Sequence, residues 1–244
     1  MRRALRAEAV KLATLPAAWI SLFVGVVVPV GVVVITSLTA RPGLDTGFQE
    51  LALGAVGVIA LGVVAMSSEY ATEGVESADG RQVWTSLTAV PGRARMLLAK
   101  IVVVAAAAGA LAVVATAATF ATVALLLGSR APALDGDALA RMGGLVAYWV
   151  LTALLALGIT VLTRSGLAPM VVLIANTSAV TVTYLLTKVT SWANYLPDMA
   201  GLRMFSRTLD TGVSVGPALG GLVMTAWVAG LLVMGALIFM RRDA

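Results

Sequence analysis

Six long apolar stretches follow one another along this chain, at residues 17–40, 51–68, 101–129, 142–163, 165–187 and 211–240, and none of them contains Asp, Glu, Lys or Arg. A helix needs about 17 to 25 residues to cross the hydrocarbon layer of a membrane, at a rise of about 1.5 Å per residue. Each stretch meets that requirement. The pattern therefore predicts an all-α membrane protein with six transmembrane helices, built as one domain over residues 1–244 and joined by short polar connections.

Composition supports the same class. Hydrophobic residues make up 60% of the chain and charged residues 12%, against about 45–50% and about 25% in a soluble domain. A surface this poor in charge needs lipid as its solvent. The chain has no Cys and no His, which removes disulfides, thiolate nucleophiles, histidine triads and the usual Cys/His zinc sites. Its net charge of +5 does not suggest nucleic acid, because the basic residues flank the apolar runs and form no stripe with interleaved aromatics.

Those basic residues set the expected orientation. With six crossings both termini share one side, and that side holds Arg2, Arg3, Arg6, Lys11, Arg81, Arg93, Arg95, Lys100, Arg164, Arg241 and Arg242. Arg41, Arg130, Arg141, Lys188, Arg203 and Arg207 fall on the other side, matched there by Asp45, Glu50, Asp135, Asp137, Asp198 and Asp210. By the positive-inside rule both termini are expected to be cytoplasmic. Arg2, Arg3 and Arg6 ahead of the first run also fit a secretory signal, but that run exceeds the usual apolar core of about 7 to 15 residues.

Several connections carry structure of their own. Before the first run, Leu5, Ala9 and Leu12 share one helical face and Arg2, Arg3 and Arg6 another, as in an amphipathic helix at an anionic membrane surface or a plain basic anchor. The long inner segment 69–100 begins acidic and Gly-containing through Glu73, Glu76, Asp79 and Gly80. From Arg81 to Ala89 the spacing of Val83, Leu87 and Val90 beside Trp84 predicts a short helix, which Pro91 disfavours beyond that point. On the outer side, the segment 188–210 mixes Trp192, Tyr195, Leu196, Met199, Leu202, Met204 and Phe205 with few charges. Short helices dipping into the outer leaflet are expected there.

These features resemble the permease subunits of bacterial type 2 ABC exporters. The resemblance rests on the six-span plan with both ends inside, on Arg6-Ala7-Glu8-Ala9-Val10-Lys11-Leu12 before the first span, and on Glu69-Tyr70 followed by Leu87-Thr88-Ala89-Val90-Pro91-Gly92-Arg93-Ala94-Arg95 and Ala99-Lys100. The inner segment is longer than the family's pattern by residues around Glu73 to Gly80. The resemblance implies a subunit of the bacterial cytoplasmic membrane that forms the translocation path for an exported molecule. It further implies a second permease chain, as homodimer or heterodimer, and a separate ABC ATPase subunit, in two copies, binding ATP and magnesium and docking on the coupling helix near residues 81–89. No Gly-x-x-x-x-Gly-Lys-Ser/Thr phosphate loop occurs in the chain, so by that route it holds no nucleotide. No cofactor of its own and no enzymatic activity by itself are expected.

Candidate residues follow. Glu69, Arg81, Trp84, Leu87, Pro91, Arg93 and Arg95 are assigned to coupling with the ATPase. Glu69 either pairs with Arg81, Arg93 or Arg95 or caps its span as a solvated carboxylate, and Trp84 either anchors the partner or joins an interfacial aromatic belt. Asn176, Thr183 and Thr187 share one face of the fifth run at spacings of seven and four, and with Thr116 and Thr119 they either line the path or bond between helices. Gly212, Gly216 and Gly220 repeat a small-residue spacing that suits close helix packing. The competing class is an ion-coupled secondary transporter or channel, which would want charges deep in the spans and broken helices. A membrane enzyme would want clustered carboxylates or histidines at one face.

Overall fold

A computed structural model describes residues 1–39, 42–70, 93–178, 182–209, 211–213 and 215–241. Among the described residues the fold is entirely helical. The helices are α1 (Arg2–Thr14), α2 (Pro16–Thr39), α3 (Phe48–Ser67), α4 (Arg93–Leu127), α5 (Gly136–Thr163), α6 (Leu167–Ser178), α7 (Val182–Thr187), α8 (Pro197–Leu202) and α9 (Pro217–Arg241), with 3-10 turns at Gly128–Arg130 and Ser191–Tyr195.

Five of these helices, α2, α3, α4, α5 and α9, are long and apolar enough to cross a membrane, so the chain is a multi-pass membrane protein. Of the fifth predicted run, 165–187, α6 covers Leu167–Ser178 and α7 covers Val182–Thr187, and residues 179–181 between them lie outside the described residues. A Cβ at Gly166 would stand 2.8 Å from the Ser67 side chain at the end of α3, and Asn176 donates to Asp198 of α8.

Helices α3 and α5 form the centre, with about two thirds of their apolar windows buried, 67% and 61%, against 28% for α2 and 17% for α9. Small residues let them approach. A Cβ at Gly57 would stand 2.5 Å from Gly25 Cα, so α2 and α3 meet almost backbone to backbone, and a Cβ on Gly62 would collide with the Ala153 carbonyl of α5. Trp149 of α5, fully buried, fills the space over Gly54 and Pro29. This is the close-contact mode that membrane helices use where apolar burial alone gives no preference for protein over lipid. Gly47 serves a different purpose: its φ of 90° starts α3, and a Cβ there would strike the Phe120 ring.

Of the three glycines assigned to helix packing, Gly220 stands where a Cβ would run into the Ala200 carbonyl of α8. Gly212 has φ of 72° and Gly216 has open space around it. Both precede Pro217, where α9 begins. Between residues 188 and 210 the expected short helices are present, as Ser191–Tyr195 and α8.

Candidate functional site

Two polar clusters close the ends of the helix bundle. At the α1 end, Glu69 follows the last turn of α3 and is fully buried. Lys11 of α1 donates to its Oε1 at 2.7 Å, and Lys100 of α4 stands 2.9 Å from the same oxygen. Lys100 also bonds the Glu8 carboxylate of α1 and donates to the Ala65 carbonyl at 3.0 Å. Burial pushes the Glu69 pKa up, but the charges and hydrogen bonds of Lys100 and Lys11 outweigh it and hold the carboxyl below its ordinary value. Four alternating charges thus join α1, α3 and α4.

This cluster sits at both roots of the segment 71–92. Glu69 precedes that segment and Lys100 lies two helical turns beyond it, so α1 is fastened to both sides of the connection. Among the assigned coupling residues, Arg81, Trp84, Leu87 and Pro91 lie outside the described residues, as does the helix expected at 81–89. Arg93 begins α4, and Arg95 is exposed one turn before the buried Lys100. Lys11 and Lys100 were not singled out as partners of Glu69. Their signal was faint: Glu8 and Lys11 lie three apart within α1, whose buried residues are Ala4 and Glu8, with Leu5 and Leu12 half-buried and Ala9 exposed.

At the opposite end the hub is Asp45, between α2 and α3. Its carboxylate pairs with Arg141 of α5 and accepts the Ser206 hydroxyl at 2.8 Å, the Thr208 hydroxyl at 2.7 Å and the backbone N–H groups of Arg207 and Thr208. Arg141 in turn donates to the Phe205 carbonyl at 2.6 Å and the Leu44 carbonyl at 3.0 Å, and its guanidinium lies 3.8 Å from the centre of the Phe48 ring. Burial raises the Asp45 pKa, but the hydrogen bonds from Thr208, Ser206 and Arg207 prevail and leave it lowered. Glu50, one turn into α3, accepts from the Gly47 N–H at 2.7 Å and the Thr36 hydroxyl at 2.9 Å. The connection after α2 and the one after α8 are thereby locked together over α5.

The residues assigned to a translocation path are inside the chain's own packing. Asn176 donates to the Asp198 carboxylate at 2.8 Å and accepts from the Thr183 hydroxyl at 2.8 Å, so it staples α6 to α7 and α8. Thr187 donates to the Tyr184 carbonyl of its own turn. Thr116 and Thr119 are buried on α4, and their hydroxyls have no hydrogen-bond partner among the described residues.

Among the described residues no group of His, Cys, Asp and Glu could hold a metal ion. No family model matches the chain, and no curated protein matches it either.

Proposed function

We propose that this chain is the membrane-spanning subunit of an ATP-driven exporter of the type 2 ABC class, crossing the membrane six times with both termini in the cytoplasm. The observation that carries the reading is the buried charge cluster Glu8–Lys100–Glu69–Lys11, which fastens the amphipathic helix α1 to both roots of the inner segment. A subunit driven by a cytoplasmic motor needs such a stiff base, because force applied to the 71–92 connection must reach α3 and α4 without being absorbed by a loose hinge. Helix α3, the most buried of the spans, then carries that displacement to the centre of the bundle.

The sixth crossing is the run 165–187, of which α6 and α7 are the described parts, held to each other and to α8 by the hydrogen bonds of Asn176 with Thr183 and Asp198. Energy comes from a separate ATPase subunit docked on the inner segment, with a second permease chain completing the path.

Purification after gentle detergent extraction tests the reading. The chain isolated alone is expected to hydrolyse no ATP, and in its native membrane it is expected to copurify with a stoichiometric ATPase whose activity depends on it. Substrate movement by the isolated chain down a proton gradient would place it with the ion-coupled transporters instead.

A further inference from the structure

Between the end of α8 and the start of α9 a cavity of about 570 Å³ is lined by Arg203, Ser206, Arg207, Thr211, Gly216 and Pro217, among others. The arginines at this end of the bundle are not equivalent. Arg141 is neutralised by Asp45 and Arg207 by Asp137. Arg203 is only 7% exposed, yet no carboxylate among the described residues pairs with it. Its guanidinium donates to two neutral oxygens, Asn194 Oδ1 at 2.7 Å and the Thr211 hydroxyl, and its Nε has no acceptor among the described residues. A buried cation left in that state is costly unless an anion joins it.

The same cavity receives the positive end of a helix. Gly216 and Pro217 line it at the start of α9, a helix of 25 residues with no acidic side chain in its first turn. The unpaired N–H groups and macrodipole of a helix start favour negative charge. A guanidinium presents its donors in a planar fork that matches phosphate or carboxylate oxygens. Two independent features of one cavity, Arg203 without a carboxylate among the described residues and the start of α9 without an acid in its first turn, therefore ask for the same ligand chemistry.

We propose that this cavity is a binding site for a phosphate-type oxyanion, with Arg203 as its buried anchor, Arg207 as a second cation at the rim and the Thr211 hydroxyl orienting an oxygen. The oxyanion is either free phosphate or the phosphodiester of a lipid headgroup, which present the same oxygens to the site. The site does not depend on the export reading, because binding needs no ATPase.

The test uses the purified full chain in an uncharged detergent at constant ionic strength. Its thermal stability is titrated with inorganic phosphate and, separately, with short-chain phosphatidylglycerol, with chloride as control. Saturable stabilisation by at least one ligand is expected, and its midpoint should weaken about tenfold or more in R203Q and less in R207Q, since Arg207 is shared with Asp137. The exposed Arg130 supplies the control variant R130Q, expected to bind as the parent does. Saturation by phosphate identifies a free-anion site, and saturation by the lipid alone identifies a headgroup site. Should R203Q fold poorly, R203K retains the charge and should bind with intermediate strength, and the titration of the unaltered chain stands by itself. Absence of saturable stabilisation by both ligands would overturn the proposal. So would unchanged binding in R203Q, or binding that emerges only in D210N, which would make Asp210, outside the described residues, the internal counter-charge.

Discussion

Lys100 and Glu69 face each other at 2.9 Å with side chains only 4% and 0% exposed, although the chain between them includes the whole 71–92 segment. Each is held by α1 as well, Lys100 through Glu8 and Glu69 through Lys11. The pair closes the 71–92 connection at its base, and the two lysines on Glu69 do not contribute equally.

Removing Lys100 takes away the cation shared by two carboxylates and an acceptor carbonyl, leaving buried charge uncompensated. K100M is expected to cost about 3–5 kcal/mol of stability, the usual scale for breaking a buried pair from one side. K11M should cost about 0–1 kcal/mol, because Lys11 is 22% exposed and Glu69 keeps Lys100. Unfolding midpoints in detergent check the ranking. Equal losses for the two variants would mean that the cluster is solvated and that burial does not set its strength.

Asp45 gives the opposite end a defined acid sensitivity. Its folded-state pKa is lowered from an ordinary value of 3.8, because hydrogen bonds from Thr208, Ser206 and Arg207 outweigh the effect of burial. A depressed carboxyl pKa contributes stability that is fully present above the unfolded value and is lost as pH falls through the folded one. Acidification from about pH 5 to about pH 2.5 should therefore lower the unfolding midpoint of the parent chain, with a smaller change in D45N. D45N should also be less stable at neutral pH, since Arg141 is left buried without its anion. A parallel pH dependence in parent and D45N would exclude Asp45 as the titrating group.

How much of this was legible in the sequence differs between helices and sites. Long charge-free runs announced α2, α3, α4, α5 and α9 because lipid imposes a length and a composition that no local detail can override. The run at 165–187 is represented by α6 and α7, and the Asn176–Asp198 bond that ties it to α8 joins residues 22 apart, which hydropathy does not encode. Glu69 stood out by its place at a span end, but Lys100 lies 31 positions away and Glu8 lies 92 from Lys100. Pairing at such separations is decided by the packing of α1 against α4, which no periodicity encodes. Arg141 and Asp45 likewise looked like ordinary outer-loop charges, and only the meeting of the α2–α3 and α8–α9 connections makes them partners.

Orientation can be read directly because the chain has no cysteine. Single cysteines at Ala7 and Ser77 should resist an impermeant thiol reagent in intact cells, and those at Gly136 and Ser191 should be labelled, in line with the positive-inside bias. Ala7, Gly136 and Ser191 are exposed in the fold, so protection at any of them reflects sidedness and not burial. Asn194, beside Ser191, is unsuitable because it is buried against Arg203. Labelling at Ala7 or Ser77 in sealed cells would invert the topology.

The coupling assignment yields an ordering of two substitutions on either side of Pro91. If the segment 81–89 docks an ATPase through its apolar face, Leu87→Asp places a charge where it is desolvated and unpaired, at a cost of about 1–3 kcal/mol, enough to weaken binding about tenfold or more. Arg95 is exposed on the first turns of α4, and an exposed ion pair contributes about 0–1 kcal/mol, so Arg95→Glu should weaken docking less. Neither change lies within the charge-free apolar runs, Arg95 preceding the one at 101–129, so membrane insertion should be preserved in both. Copurified ATPase per chain gives the docking strength, and ATPase activity with transport in vesicles gives the coupling. Leu87→Asp should lower both readouts, and Arg95→Glu should leave most of each. Should Leu87→Asp retain full copurification and transport, the inner segment would be an ordinary connection. The docking surface would then have to be sought near the exposed Arg164 or at the chain's termini, where α1 presents the exposed Arg2, Arg3 and Arg6.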